Sequence, residues 1–341
     1  MPVTPADVGS RVSVRRRLGT REGRPQYGDV VGHLESWSEG LLGIRRRDGS
    51  VVEVSEDAVV AGKVVPPTRT YTRRPPAAAA RQDLTEAADL ERVAAAGWPA
   101  VETEVLGDWL LRAAGGFTGR ANSVLAMGDP GTPVESALAR VQAWYAARGL
   151  PARAQVVQGS PADGGLRDAG WRVPDAGPHG HEVLVQTAGL ADVGQALASR
   201  AGLGQAAASP APEVRLDPDP DEAWLRVYRG GDPLPPEAVQ VLAGHPRVRF
   251  ASVGDDPRLA VGRVAVDGTW AGLTAVEVVP ALRRRGYARA VVAELLGWAA
   301  DHGARHVYLQ VSAGNPAGLR FWARLGFRTH HTYVYRVPEG T

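Results

Sequence analysis

The sequence predicts an α+β protein: a small N-terminal β-barrel followed by two tandem lobes of strands and helices. Three observations predict it. Residues 8–65 break into short strand-like runs separated by turn signals. An order of helix, turn, strand and Gly-aromatic-Arg segment occurs twice, once after Trp144 and once after Trp298. Residues 273–300 read as a strand, a tight basic turn and an amphipathic helix.

In the N-terminal unit, 1–65, the runs 11–15, 29–34, 41–45 and 51–54 are separated by turns such as Asp48-Gly49. Short strands at that spacing suggest a small barrel. Arg15, Arg16 and Arg17 with Arg45, Arg46 and Arg47 would give it a basic face for a nucleic-acid or acidic protein partner. With no aromatics between them, a solvated arginine surface is the simpler reading. Residues 66–80 form a Pro- and Ala-rich linker.

The first lobe is expected over 81–200. Asp83 would cap a helix over 84–96, with Glu86 in the capping-box position. Strands follow at 109–112 and 121–127, a helix at 134–148, a strand at 152–158 and a last strand at 182–186. A linker, 201–212, precedes the second lobe, 213–341. Its Gly202-x-Gly204 lacks the strand and third glycine of a dinucleotide loop. In the second lobe, a strand at 213–216 is followed by helices at 220–229 and 235–243. Strands are expected at 248–253, 258–266 and 270–279, the last two joined by a turn at Gly268. A helix at 286–300, a strand at 306–311, a helix at 315–325 and strands at 326–330 and 332–337 complete it. From Trp144 to Gly170 and from Trp298 to Gly326 the two copies keep nearly the same spacing.

Composition narrows the class. The apolar fraction of 44% and charged fraction of 22% are ordinary for a globular protein. No 18-residue apolar run and no secretory h-region occur, so no membrane contact and a cytoplasmic setting are expected. With no cysteine there is no disulfide, thiol nucleophile or thiolate metal site. His330-His331 and His179-x-His181 lack carboxylates at a ligand spacing and read as loop or surface residues, so no metal is expected. Nothing decides for or against a homodimer.

The chemistry is expected at 273–300. Pro280 ends the strand and Gly286 opens the helix, with apolar residues at 288, 291, 292, 295, 296 and 299. A helix start offers unpaired N–H groups and partial positive charge, and Arg283, Arg284 and Arg285 add full charges beside it. This is an anion site, suited to phosphate. The corresponding stretch of the first lobe, Gly-Asp-Pro-Gly-Thr-Pro-Val-Glu at 128–135, has two prolines, Asp129 and Glu135 and no arginine. It should repel a pyrophosphate.

The pattern Arg283-x-x-Gly286-x-Ala288 resembles the acyl-CoA pyrophosphate loop of the GNAT acyltransferase superfamily. Asn315 to Phe327 resembles that family's N-x-x-A-x-x-x-Y-x-x-x-G-F signature, and the element order matches over about 130 residues. The N-terminal pattern at 9–15 and 29–32 resembles the SH3-like barrel found before some actinobacterial members. The resemblance implies mixed twisted sheets with helices on both faces, and acetyl-CoA as co-substrate. It implies acetyl transfer to a primary amine, on a protein or a small molecule, directly within a ternary complex. It places Val278, Val279, Arg283, Arg284, Arg285, Gly286, Tyr287, Ala288, Arg289, Asn315 and Trp322 on the cofactor, with the Val278 N–H also facing the acyl oxygen. Glu277, the one carboxylate on the strand, is the candidate base, although strand alternation alone does not tell which face it takes. Trp322 replaces the family's usual tyrosine acid, leaving Tyr333, Tyr335 or water for that proton. A module that binds CoA without turnover is the competing expectation.

Overall fold

The computed structural model describes residues 3–21, 24–46, 50–64, 77–174, 182–199 and 212–339. It contains two compact units, 1–75 and 76–341. The Asp48-Gly49 turn, His179-x-His181, Gly202-x-Gly204 and almost all of the 201–212 linker lie outside the described residues.

The N-terminal unit is one five-stranded antiparallel sheet of β1 (Arg11–Arg21), β2 (Arg24–Ser38), β3 (Leu41–Arg45), β4 (Val51–Ser55) and β5 (Val59–Val64). The order is β4-β3-β2-β1-β5, so among the described residues no ladder joins β4 to β5. A short 3-10 turn, Glu56–Ala58, carries the chain from one end of the sheet to the other. Val12, Val14, Val30, Leu34, Leu42, Ile44 and Val54 fill its core. Arg15 pairs with Asp29 and Arg45 with Glu35, so part of the expected basic face is neutralised.

In the second unit, α1 (Ala77–Gly97) begins earlier than the sequence predicted. The alanines assigned to the linker join the helix, as their propensity favours, and Asp83 lies inside it rather than capping it. An edge strand that was not anticipated, β6 (Glu102–Leu106), pairs with β7 (Trp109–Ala113). Next come β8 (Val124–Leu125), shorter than expected, α2 (Val134–Ala146), β9 (Ala154–Val157), α3 (Pro161–Asp168) and β10 (Glu182–Gly189). A further unexpected helix, α4 (Leu190–Ala198), ends this half.

The second half holds β11 (Val214–Asp217), α5 (Glu222–Val227), α6 (Glu237–Ala243), β12 (Val248–Val253), β13 (Ala260–Asp267) and β14 (Trp270–Val278). It closes with α7 (Tyr287–Asp301), β15 (His306–Ser312), α8 (Pro316–Arg324) and β16 (Arg328–Arg336). The two strands expected at 326–330 and 332–337 are this one strand, with a register shift beside β10 around His330. His331 is not a surface residue: its side chain is 7% exposed and lies 2.9 Å from the buried Glu91 carboxylate. The internal repeat is visible as two parallel pairs, β8 with β9 and β14 with β15, joined by α2 and α7 respectively.

The two lobes share one eleven-stranded sheet, ordered β11-β12-β13-β14-β15-β10-β16-β9-β8-β7-β6. Each lobe gives its last strand to the other: β10 pairs with β15, and β16 pairs with β9. Two edges that would otherwise be open are thereby closed. The exchange is fastened by the buried pair of Arg336 on β16 with Asp163 on α3, 2.6 Å apart. Helices α4, α7 and α8 pack on one face of the second half, with α1, α5 and α6 on the other.

Candidate functional site

The parallel pairing of β14 and β15 runs from Trp270 and His306 to Leu273 and Leu309 and then stops. Beyond that point the strands part, so β14 has a free edge over its last residues. Across the other edge, β14 gains one residue on β13: Glu277 pairs with Val261 and Thr274 with Arg263. This bulge contains Ala275, whose φ is +54°.

The bulge decides the face of Glu277. Leu273, Val276 and Val278 pack in the core under α7, whereas Ala275 packs with the α5 and α6 side. Without the extra residue, Glu277 would share the face of Leu273 and be forced under α7. Instead it meets the turn after α5, where its Oε1 accepts from the Arg229 N–H at 3.0 Å. Arg229, Gly230 and Gly231 all have positive φ. Burial pushes the Glu277 carboxyl above the usual carboxylate range, opposed in part by the Arg229 N–H and by the charges of Arg229 and Arg283.

The Val279 N–H donates to Leu259 on the β13 side at 3.0 Å, and its carbonyl accepts from the Leu282 N–H at 2.8 Å. Strand alternation therefore sends the Val278 N–H toward the free edge. The Val278 carbonyl accepts from Arg283 Nε at 3.3 Å, tying the loop back to the strand. Arg284 (φ +65°) and Gly286 (φ +89°) are left-handed, which turns the loop sharply into α7. Gly286 is the N-cap with no side-chain cap, and no acid sits in the first turn, so the N–H groups of Tyr287 and Ala288 are presented uncapped. Arg283, Arg284 and Arg285 are exposed around them.

The structure thus brings together Val278, Arg283, Arg284, Arg285, Gly286, Tyr287 and Ala288, with Glu277 on the opposite face. Four of the expected cofactor residues have engagements within the protein. Both backbone polar groups of Val279 are engaged within the protein. Arg289 turns away from the loop and donates to the Ala196, Leu197 and Ser199 carbonyls at the end of α4. Asn315 caps α8, its Oδ1 accepting from the Gly318 N–H at 2.9 Å. Trp322 is buried, with Phe321 at 4.7 Å and Phe327 at 5.4 Å between ring centroids. Tyr333 and Tyr335 stand on β16, across β15 and β10 from β14, too far to serve as its acid. Sequence reasoning missed Arg229 and Gly230 behind Glu277, and Arg120 and Gln310 nearby; only the Gly-Gly pair carried a local turn signal.

The first lobe has filled its own counterpart. At the end of β8 the Asp129 N–H donates to Asp108 and the Gly131 N–H to Asp129, at 2.9 and 2.8 Å. Pro133 caps α2 without a side-chain bond. Among the described residues no group of three or more histidines and acids could hold a metal ion.

A parallel pair that splays beside an uncapped, arginine-flanked helix start defines a GNAT-type acyltransferase. Residues 84–336 match the family described as "Probable histone acetyltransferase Rv0428c C-terminal", and residues 6–63 its "N-terminal Sm-like domain", a label close to the SH3-like one expected. This chain belongs to that family. It is 32% identical over 337 residues to "Probable histone acetyltransferase Rv0428c" of Mycobacterium tuberculosis, covering 96% of this chain and 94% of the relative. It is 26% identical to "Uncharacterized N-acetyltransferase YobR" of Bacillus subtilis, over 73% of this chain and 98% of that protein. A solved GCN5-related N-acetyltransferase from Kribbella flavida shares the fold, with a TM-score of 0.53 at 15% identity, covering 75% of this chain and 96% of the other.

Proposed function

We propose that this chain transfers an acetyl group from acetyl-CoA to a primary amine, directly, in a ternary complex in its second half. The observation that carries this is the bulge at Ala275, which puts the free strand edge and Glu277 on one short segment but aims them apart. The donor meets the edge; the acceptor approaches from the Glu277 face. Acetyl-CoA supplies an acyl group already activated as a thioester.

The uncapped N–H groups at Tyr287 and Ala288 and the guanidinium groups around them would hold the pyrophosphate. The Val278 N–H opposes charge that grows on the acyl oxygen. Glu277 takes the proton that the amine must lose, directly or through water. Its raised pKa makes it a stronger base than an ordinary glutamate. The thiolate would leave with a proton from water, since Trp322 has no acidic proton to give and Tyr333 and Tyr335 stand three strands away from β14. The name of the mycobacterial relative makes a protein amine one acceptor class, and a small-molecule amine is the other.

A second reading, a CoA-binding module without turnover, is favoured by the burial of Trp322 where the family has a tyrosine. Thiol release from acetyl-CoA, followed across peptides and small amines, separates the two. Acceptor-dependent release supports transfer, binding without release on any acceptor supports the module, and absence of binding by calorimetry refutes both.

A further inference from the structure

The loop between β7 and β8 belongs to the first lobe, yet it packs into the acceptor side of the second. Phe117 and Ala121 share a core with Trp224, Tyr228, Ala238 and Leu242 of the α5–α6 region. The loop is rigidly built. Buried Asn122 accepts from the Ala114 and Gly116 N–H groups at 2.8 and 2.9 Å and donates to the Phe117 and Thr118 carbonyls at 2.7 and 3.0 Å. Those bonds hold Gly115, Gly116 and Thr118 in left-handed conformations.

What this loop delivers is Arg120. Its guanidinium lies 4.6 Å from the Trp98 ring centroid and donates to Gln310 Oε1 at 2.7 Å. Gln310 follows Leu309, where β15 leaves β14, so Arg120 stands at the mouth of the splay. Burial pushes the Tyr228 phenol up, and it lies within the field of both Arg120, which draws it down, and Glu277, which pushes it up.

Other buried arginines in this half have a carboxylate or several oxygen partners. Arg263 donates to the Leu242 and Gly97 carbonyls and to Thr274, Arg258 pairs with Asp221, and Arg336 pairs with Asp163. Arg120 is half-exposed, and among the described residues it has no carboxylate partner and one neutral hydrogen bond. A guanidinium held by a rigid loop and an aromatic face, with donors to spare, is a receptor for a carboxylate. The charges of Arg229 and Arg263 nearby would disfavour a cationic acceptor.

The geometry points to an acceptor that carries a carboxylate beside its amine: Arg120, supplied by the first lobe, binds the carboxylate while Glu277 faces the amine. This rests on the acetyl-transfer reading above. It also gives the first lobe a purpose, since the second lobe's acceptor site is incomplete without it.

The test uses the full chain, acetyl-CoA, and a panel of α- and ω-amino acids of two to six carbons, each beside its C-terminal amide. The acids should exceed their amides in kcat/KM by about 10- to 100-fold, as a charge-assisted bidentate pair is worth. Arg120→Ala should collapse that ratio toward one through KM of the acid, and Arg120→Lys should restore part of it. Acetyl-CoA affinity measured on each variant reports that the fold is intact. Equal use of acid and amide by the wild type, or no acetylation of any acid while acetyl-CoA binds, overturns this assignment and leaves acetyl transfer to other amines standing. No acetyl-CoA binding by the wild type overturns the acetyl-transfer reading itself.

Discussion

Arg285→Glu is the sharpest perturbation of the donor site. Arg285 is exposed at the turn into α7 and has no partner among the described residues, so reversing its charge should leave the fold alone. A pyrophosphate at the helix start carries about two negative charges, and at about 6 Å through a water-like dielectric each unit pair is worth about 0.7 kcal/mol. The reversal changes the side chain by two units, so the loss approaches ~2.8 kcal/mol, roughly 100-fold in affinity, at low salt. At about 0.15 M ionic strength the Debye length of about 8 Å roughly halves this, leaving a loss on the order of tenfold. Titration calorimetry with CoA at low and physiological salt measures both values. Unchanged affinity, or a loss that does not shrink with salt, would refute the placement of the pyrophosphate beside Arg285.

Three further outcomes follow from the same geometry. Glu277→Gln should lower kcat by about a hundredfold or more and remove an acid limb of kcat/KM that, in the wild type, rises with pH above the ordinary glutamate range. Because the folded-state pKa is raised, the group's stabilisation is present below the ordinary range and lost as pH rises through the folded value; the glutamine variant should therefore melt higher than wild type near pH 7 but not in acid. Gly286→Ala meets no clash but must hold φ near +89°, which costs about 1–2 kcal/mol; a lowered melting temperature should accompany weaker CoA binding. Calorimetry should count one CoA per chain, because Asp108 and Asp129 occupy the first lobe's loop N–H groups; a stoichiometry of two would contradict that.

The donor loop was legible because its determinants are local. Arg283, Gly286 and Ala288 lie within six residues, and a strand ending at proline before an amphipathic helix needs no distant partner. The repeat was legible for the same reason, through spacing. Arg289 shows where local pattern misleads: it lies in the right turn of the right helix, but the end of α4 claims its guanidinium. Trp322 likewise sits at a motif position, and the aromatic rings of Phe321 and Phe327 draw it into the core.

By itself the sequence determined the class of fold, the arginine-flanked helix start and the absence of arginine from the corresponding stretch of the first lobe, because each follows from residues near one another in the chain. The tertiary structure alone decided the face of Glu277, since one extra residue at Ala275 reverses the parity that strand alternation would assign. It alone decided the exchange of β10 and β16, because which edges meet depends on packing between segments more than a hundred residues apart. And it alone brought Arg120 to Gln310, 190 residues away in the chain, where β15 leaves β14.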